Sequence, residues 1–456
     1  MTEIMTLMPG YEVYNDSGVE WIGEIPAHWE IVNLGALLKP ISIKNKPHLS
    51  LLSITREKGV IERDMDNQEE NHNYIPDDLS NYKCLQKGQF GMNKMKAWQG
   101  SYGVSEYTGI ISPAYYVFSF NKEIDPNYFN IAIRSRLYIS FFGCASDGVR
   151  IGQWDLSKTR MKTIPFLIPS SGEQTAIANF LDCKITKIDQ TIAIKEKQIL
   201  LLKERKQILI QNAITKGLDP DVPMRDSGVE WIGKIPYHWE VKRLRLIGTT
   251  QNGISAEADY FGSGHPFVSY SDVYNCRELP CLVKGLAKSS TRDRLQYSVK
   301  RGDVLFTRTS ETAEEIGFPS VCMKTIENST FAGFLIRFRP KPNYLEPGFS
   351  KYYFCSNMLR AYFVGEMNIV TRASLSQELL KALPVLLPPL KEQLAIYNHI
   401  QTQSTKIDKA ITIQEQMIEK LKEYKATLIN SAVTGKIKVP DTGKKKSKEA
   451  HGQPNQ

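Results

Sequence analysis

The octapeptide DSGVEWIG at residues 16–23 occurs again, unchanged, at residues 226–233. The offset between the two copies is 226 − 16 = 210 residues. The residues that follow also correspond, since IPAHWE at 25–30 is matched by IPYHWE at 235–240. Repeats of this length do not arise by chance, so the sequence indicates an internal duplication.

A second repeat lies downstream of each octapeptide. It begins with Glu173-Gln174 and with Glu392-Gln393, at an offset of 392 − 173 = 219 residues, and includes TKID in both copies. The two offsets differ by nine residues, so the second intervening segment is the longer one. Between the repeats only a skeleton is shared, such as GQF followed by Asn93-Lys94 in the first copy and GDV followed by Thr307-Arg308 in the second. This pattern predicts two copies of one fold that carry different surfaces.

Each second repeat has the apolar spacing of a long helix in a coiled coil. Lys195 and Lys206 in the first copy, and Gln414 and Lys425 in the second, fill two matching interruptions of the apolar series. Gly217 and Gly435 stand where the helices should end. About thirty residues of this pattern correspond to a helix of roughly 45 Å. In the first copy the series is Ile185, Ile188, Ile192, Lys195, Ile199, Leu202, Lys206, Leu209 and Ala213; in the second it is Ser404, Ile407, Ile411, Gln414, Ile418, Leu421, Lys425, Leu428 and Ala432.

The order of the repeats is circular. The first helix leads into the second octapeptide, and the natural continuation of the second helix is the first octapeptide. We therefore predict an α+β protein with two globular mixed α/β domains separated by two long antiparallel coiled-coil helices, in a circular, pseudo-two-fold arrangement. The predicted segments are a first domain at 1–168, a helix at 169–218, a second domain at 219–387, a helix at 388–437, and a basic disordered tail at 438–456 that makes at most a weak phosphate contact.

Composition narrows the class of protein further. The hydrophobic share of 41% and charged share of 23% are typical of globular domains, and no apolar run is long enough for a membrane span. With no signal-peptide pattern either, we expect a cytoplasmic protein without a membrane partner. A formal charge of +9 favours a polyanionic partner without requiring one. The seven cysteines are scattered, which predicts reduced thiols; the alternative, a zinc site at Cys276, Cys281 and His265, lacks a fourth ligand.

The whole chain resembles the specificity subunits of type I restriction-modification systems. The resemblance is carried by GVEWIGEIPAHWE and GVEWIGKIPYHWE, by IPFLIPSSGEQ and LPVLLPPLKEQ, and by the helix ends AITKGL and AVTGKI. It implies that each globular domain is a target recognition domain for one half of a bipartite, asymmetric double-stranded DNA site. It also implies that the helices set the spacing of the half-sites, near one turn of B-DNA, and dock two methyltransferase subunits. In the family, this assembly methylates adenine, and up to two motor-nuclease subunits add DNA cleavage.

Catalytic motifs are expected in the partners and not in this chain. The nearest string to an amino-methyltransferase loop is Asp125-Pro126-Asn127-Tyr128, which departs from the motif at its third residue and fits the start of a helix better. No nucleotide-binding glycine motif is found. We therefore expect a non-catalytic chain without a cofactor, with S-adenosylmethionine, ATP and Mg²⁺ bound by the partner subunits. The alternatives are a stand-alone DNA methyltransferase or nuclease with an unrecognised site, and a coiled-coil scaffold with no DNA role.

Candidate DNA-binding residues are polar or basic side chains in the two divergent segments between the repeats, close to glycines. The tryptophans of the repeated motif, Trp21, Trp29, Trp231 and Trp239, are instead predicted to anchor each domain to the helices. The predicted DNA-binding set is Asn93, Lys94, Lys96, Gln99, Ser101, Tyr102, Arg150, Gln153, Lys158, Arg160, Arg308, Thr309, Ser310, Thr371, Arg372, Ser374 and Gln377. The predicted spacer and subunit-docking set is Ile188, Ile192, Ile199, Leu202, Ile407, Ile411, Ile418 and Leu421.

Overall fold

A computed structural model describes residues 8–63, 75–76, 78–148, 154–310, 317–366 and 373–440. The chain forms two compact units, the first made of the described parts of 1–196 and 415–456 and the second of 197–414. Both units combine helices and strands, as the sequence predicts. Each contains one globular domain and one segment of each long helix, so the unit boundaries fall inside the helices. The basic tail from residue 441 onward lies outside the described residues.

The first unit is built on a four-stranded antiparallel sheet with strand order β4-β11-β8-β9. Its helices are α1 Leu34–Leu37, α2 Pro126–Ile133, α3 Arg136–Cys144, α4 Lys158–Lys162 and the first part of α5 Ser171–Lys216. Its strands are β1 Tyr14–Asp16, β2 Glu24–Pro26, β3 Glu30–Asn33, β4 Leu38–Ile41, β5 Leu52–Thr55, β6 Gly59–Glu62, β7 Lys83–Leu85, β8 Phe90–Met92, β9 Tyr102–Val104, β10 Gly109–Ile111, β11 Tyr116–Phe120, β12 Ser146–Asp147, β13 Asp155–Leu156 and β14 Pro165–Ile168.

The second unit repeats this plan with the sheet β18-β25-β21-β23. Its helices are α6 Leu244–Ile247, α7 Tyr270–Tyr274, α8 Thr291–Gln296, α9 Pro347–Phe354, α10 Asn357–Glu366, α11 Gln377–Ala382 and the first part of α12 Leu390–Val433. Its strands are β15 Met224–Asp226, β16 Lys234–Pro236, β17 Glu240–Arg243, β18 Gly248–Asn252, β19 Phe261–Val268, β20 Leu286–Ala287, β21 Val304–Thr307, β22 Thr309–Ser310, β23 Pro319–Val321, β24 Thr330–Phe331, β25 Leu335–Pro340, β26 Ala373–Ser374 and β27 Pro384–Leu387.

The two long helices pack antiparallel within each unit, through the predicted apolar series. In the first unit Lys425 Nζ donates to both carboxylate oxygens of Asp189 over 2.7 Å. In the second unit Lys206 Nζ contacts Asp408 in the same way, at 2.8 and 2.7 Å. Lys206 and Lys425, one interruption from each apolar series, thus form reciprocal ion pairs. A polar residue at such a position specifies the register in which helices pair.

The circular arrangement closes in the first unit. The backbone N–H of Lys438, just beyond α12, donates to the carbonyl of Pro9 over 2.7 Å, and the Tyr14 hydroxyl donates to the carbonyl of Gly435 over 3.0 Å. Gly435 has a φ of 72°, and a Cβ built on it would overlap the Pro26 ring. The predicted helix stop is therefore also the point where the end of α12 packs on the N-terminal motif.

The Glu-Gln pair that begins the second repeat connects each domain to its long helix through hydrogen bonds. His28 Nε2 lies 2.9 Å from Glu173 Oε2, and His238 Nε2 lies 2.8 Å from Glu392 Oε2. The next residue, Gln174, is buried, accepts from the Asp125 N–H over 2.8 Å and donates to the Pro169 carbonyl over 2.9 Å. Its counterpart in the second unit repeats this, accepting from a backbone N–H over 2.8 Å and donating to the Pro388 carbonyl over 2.8 Å.

The tryptophan prediction is confirmed for one tryptophan of each motif. Trp29 and Trp239 are buried in the two main cores, against the helices. For Trp21 the prediction was wrong, because the side chain is 58% exposed and only one face of it stacks on Phe141, with the ring centroids 5.9 Å apart. Trp231 is half-buried and packs on Tyr362 at 5.0 Å.

Candidate nucleic-acid interface

In the second unit the predicted residues Arg308, Thr309 and Ser374 come together where strands end. Thr309 of β22 pairs with Ser374 of β26, and the backbone N–H of Leu375 donates to the Arg308 carbonyl over 2.8 Å. These residues are separated by more than sixty positions in the sequence, so only the fold brings them to one place. The predicted Thr371 and Arg372, like the side chain of Ser310, lie outside the described residues.

Gln377, also predicted, lies beside this group and is held by two polar neighbours. Its amide accepts from the Thr250 hydroxyl over 2.8 Å and donates to Asn252 Oδ1 over 3.0 Å. Because β18 ends at Asn252, the Gln377–Asn252 amide pair lies at the same end of the sheet as Arg308, which follows β21. Asn252 was missed from the sequence, where an isolated asparagine near a glycine is typical of an ordinary turn.

The first unit has the same backbone frame with different side chains. The N–H of Leu156 donates to the Lys94 carbonyl over 3.2 Å, as the N–H of Leu375 does to Arg308. Lys94 Nζ donates to Asp155 Oδ2 over 2.8 Å, and this hydrogen bond raises the pKa of Lys94. Arg160 forms an ion pair with Asp147 of β12. The predicted Arg150 and Gln153 lie outside the described residues.

The predicted Lys158 belongs to a lysine cluster next to this frame, together with Lys83, which was not predicted. Lys158 Nζ lies 4.4 Å from the centre of the Tyr116 ring, and Lys83 Nζ lies 5.9 Å from the same ring. Burial, followed by repulsion from Lys158, Lys44 and Lys94, lowers the pKa of Lys83. Like charges held this close are suited to a polyanion, which relieves their repulsion. No sequence signal marks Lys83, because the residues around it carry no basic run.

Three predicted residues of the first unit belong to the interior, so their assignment to DNA contact was wrong. Tyr102 is 0% exposed and packs on Phe142, with ring centroids 4.6 Å apart, and Ser101 is buried beside it. Burial raises the pKa of the Tyr102 hydroxyl well above its ordinary value. Asn93 is buried as well, and its amide donates to the Tyr115 hydroxyl over 3.1 Å. A buried side chain cannot reach a base edge or a phosphate.

The other two predicted residues of this segment remain accessible. Lys96 is exposed and precedes a 3₁₀ turn at Ala97–Gln99, and Gln99, the last residue of the turn, is half-buried. Within the turn, Trp98 packs on Trp154 with ring centroids 4.9 Å apart. The contact of Lys96 and Gln99 with DNA stays a prediction.

Comparison with known proteins agrees with these features. Residues 236–423 match the family described as the type I restriction modification DNA specificity domain. The chain is 28% identical over 283 residues to the type I restriction enzyme EcoKI specificity subunit of Escherichia coli K12, a match that covers 59% of this chain and 56% of that protein. It is 24% identical over 464 residues to the putative type I restriction enzyme MjaX specificity subunit of Methanocaldococcus jannaschii, covering 96% and 100% of the two chains. The crystal structure of the HsdS subunit from Thermoanaerobacter tengcongensis has the same fold, with a TM-score of 0.58, 16% identity, and coverage of 92% and 100%.

The chain is similar over nearly all of its length to a type I restriction enzyme specificity subunit, and residues 236–423 match the DNA specificity domain family. In the region matched to the Escherichia coli relative, it spans little more than half the length of that protein. The likeness to the solved specificity subunit concerns the fold.

The residues predicted for spacing and docking lie along the two long helices. All eight lie on α5 or α12: Ile188, Ile199, Ile407, Ile411 and Ile418 are buried, and Ile192, Leu202 and Leu421 are half-buried. Their burial supports packing between the two helices, and docking of a partner subunit at these residues stays a prediction. The outer face of α5 exposes Leu200, Leu201 and Ile208, of which Leu201 is 54% exposed.

The remaining motifs singled out in the sequence have structural roles in the described residues. Asp125 caps α2, its carboxylate accepting from the N–H groups of Asn127 and Tyr128 over 2.8 and 3.1 Å. All seven cysteines are free thiols. Across the described ranges, no group of histidine, cysteine and acidic side chains could hold a metal ion, and no helix is long and apolar enough to cross a membrane.

Proposed function

We propose that this chain is the DNA-specificity subunit of a type I restriction-modification complex. Each unit reads one half of a bipartite, asymmetric site in double-stranded DNA, and the chain directs adenine methylation by two modification subunits. Up to two restriction subunits add DNA cleavage. The chain itself supplies no catalytic group, and its partners bind S-adenosylmethionine, ATP and Mg²⁺. It acts in the cytoplasm, where the DNA and these partners are found.

The observation that carries the proposal is the shared frame with unlike side chains at the strand ends. The hydrogen bonds from Leu156 to Lys94 and from Leu375 to Arg308 fix the same backbone geometry in the two units. On this frame one unit presents a lysine, which is a point charge on a flexible stem. The other presents an arginine, whose planar fork matches the O6 and N7 acceptors of guanine. Two domains with the same backbone arrangement but different side chains at this position favour a DNA site whose two halves differ in sequence.

The positions of Lys83 and Lys158 support phosphate contact on the first unit. Phosphate contacts fix the orientation of a protein on the duplex, while base contacts select the sequence. The cluster around the Tyr116 ring supplies the first kind of contact, and Lys94 stands beside it as a candidate for the second. The exposed leucines on the outer face of α5 support docking of a modification subunit, because exposed apolar side chains of a helix suit a partner helix.

The first experiment is methylome sequencing of a host that carries this chain together with its modification subunit. We expect a gapped, two-part methylated motif that is absent without the chain. Arg308→Ala should relax one half of that motif, and Lys94→Ala should relax the other. Arg225→Ala is the control, because the Arg225 guanidinium donates to the backbone of its own motif, over 3.0 Å to Tyr237. A continuous motif, or methylation that does not depend on the chain, would contradict the proposal.

Two further assays separate the alternatives. Methyl transfer or cleavage by the purified chain alone would favour a stand-alone enzyme. If the two divergent segments between the repeats were exchanged and the methylated motif did not change, a scaffold with no DNA role would be favoured.

The spacing of the two half-sites is part of the proposal. α5 and α12 join the two units, so inserting one heptad in each helix should change the tolerated gap in the motif. The sequences of the half-sites should stay the same. An unchanged gap in the methylome of the insertion variant would refute a spacing role for the helices.

A further inference from the structure

One large apolar side chain, Phe334, stands exposed among the polar residues at the strand ends of the second unit. It is 64% exposed, whereas its neighbours Gly333 and Leu335 are buried. Thr307 of β21 pairs with Leu335 of β25, and the next residue, Arg308, donates its N–H to the Phe334 carbonyl over 2.9 Å. Residues opposite each other on antiparallel strands have Cβ atoms about 5 Å apart on one face of the sheet. The side chains of Phe334 and Arg308 therefore leave the sheet next to each other.

The backbone under Phe334 is held firmly. Gly333 donates its N–H to the Ile254 carbonyl over 2.8 Å, and Ile254 donates its own N–H to the Phe331 carbonyl over 2.9 Å. A Cβ at Gly253 would overlap the backbone of Ala332, so the two segments approach as closely as glycine allows. A side chain on such a support is displayed in one place, which is what a reader of base edges needs.

The first unit has a small residue at the corresponding position. Phe90 pairs with Phe118 and Met92 pairs with Tyr116, as Val304 pairs with Phe338 and Phe306 with Ile336. Ala114 and Phe334 hold the same place in the turns before β11 and β25, because Tyr115 donates its N–H to the Ser112 carbonyl over 3.0 Å and Leu335 donates its N–H to the Ala332 carbonyl over 3.0 Å. Ala114 is exposed as well. The two units thus differ in this apolar side chain, just as they differ in the basic side chain beside it.

We propose that Phe334 is a specificity-determining residue that contacts the C5-methyl group of a thymine in the major groove, next to the base read by Arg308. A phenyl ring has no hydrogen-bond donor or acceptor, so among base edges in the major groove it is suited to the thymine methyl. Arg308 supplies the polar contact, and Phe334 supplies the apolar one. The inference rests on the proposed function, because it assigns Phe334 to the half-site of the second unit.

The test uses the complete complex of this chain with its modification subunit and duplexes that contain the methylated motif. The half-site of the second unit is the one that Arg308→Ala relaxes. Each thymine of that half-site is replaced in turn by deoxyuridine, which removes only the methyl group. With the unchanged protein, we expect one replacement to weaken binding about fourfold, the factor for one buried methyl group. Phe334→Ala should bind the thymine and deoxyuridine duplexes equally, and should leave the other half-site unaffected.

Leu282→Ala is the matched control, because Leu282 is an exposed apolar residue of the same unit, 91% exposed, away from the strand ends. This variant should keep the discrimination between thymine and deoxyuridine. Equal binding of all duplexes by the unchanged protein would overturn the inference, whatever the variants do. So would a rise in the fluorescence of 2-aminopurine placed beside this thymine that Phe334→Ala abolishes, since it would show that Phe334 separates stacked bases instead. Failure of the proposed function would look different, because no chain-dependent motif would then exist.

Discussion

Replacing Gly435 by alanine tests the circular closure directly. Gly435 ends α12 with a φ of 72°, a conformation that costs an L-residue about 1–2 kcal/mol. The new Cβ would also overlap the Pro26 ring, which is bonded to the backbone and cannot rotate away. Overpacking of this kind costs about 1–3 kcal/mol. We therefore expect Gly435→Ala to lower the free energy of unfolding of the first unit by about 2–5 kcal/mol.

Two other glycines provide graded controls. Gly23, with a φ of 71°, has nothing within 4 Å of a built Cβ, so Gly23→Ala should cost only the conformational part, about 1–2 kcal/mol. Gly217 ends α5 as Gly435 ends α12, but the nearest atom to its Cβ is a Glu392 carboxylate oxygen at 2.9 Å. A carboxylate at the end of a flexible side chain can move, so Gly217→Ala should cost less than Gly435→Ala.

The assay is urea unfolding monitored by hydrogen–deuterium exchange, in peptides covering 8–30 and 425–440 for Gly435→Ala and Gly23→Ala, and in peptides covering 205–240 for Gly217→Ala. A local readout is needed because two units need not unfold in a single transition. The order of destabilisation should be Gly435→Ala, then Gly217→Ala, then Gly23→Ala. If Gly435→Ala were no worse than Gly23→Ala, the end of α12 would not pack on the N-terminal motif and the circular arrangement would be wrong.

Three shorter predictions concern the surfaces and the thiols. Lys83→Ala should weaken DNA binding and reduce the salt dependence of the binding constant by about one phosphate contact, measured by titration at several salt concentrations; an unchanged slope would exclude Lys83 from the interface. Leu201→Lys should weaken binding of the modification subunit in calorimetry while the methylated motif stays the same, and undiminished binding would exclude this face of α5. Burial raises the pKa of the Cys322 thiol to about 12 and that of the Cys355 thiol to about 11, so both thiols stay protonated at pH 8. Both should react with a thiol reagent only on unfolding, whereas the exposed Cys144 should react at once. Rapid labelling of all three cysteines would contradict the packing.

The sequence predicted the parts of the fold that repeat. A repeated residue signals a contact made twice, as when His28 and Glu173 reappear as His238 and Glu392 with the same geometry. The lysines that interrupt the apolar series were visible too, although their ion pair partners were not. Partners such as Asp189 lie beside the seam of the coiled coil, and only the antiparallel register brings them to Lys425.

The candidate interface was harder to predict, because polar composition does not report burial. The segment around Ser101 and Tyr102 is rich in glycine and polar residues, but it enters the sheet as β9, and its side chains fill the core. Lys83 shows the opposite error: it was not predicted, because it lies far in sequence from the predicted Lys158 and comes near it only in the folded sheet. Phe334 was invisible for a third reason: the string FAGFL reads as core, and the register alone reveals that its second phenylalanine faces outward.

The division between repeated ends and divergent middles follows from what each side chain contacts. Trp29 is buried against the end of α12, so Trp29→Ala should cost about 3–5 kcal/mol through the cavity that it leaves. Ala114 is exposed at a strand end, so Ala114→Phe should change the stability of the first unit by no more than about 0.5 kcal/mol. The same variant should give the first half-site a preference for thymine over deoxyuridine that the unchanged protein lacks. If Ala114→Phe adds a base contact without a loss of stability, the residues that determine specificity are separable from those that determine the fold. A large loss of stability in this variant would show instead that the strand ends are part of the core.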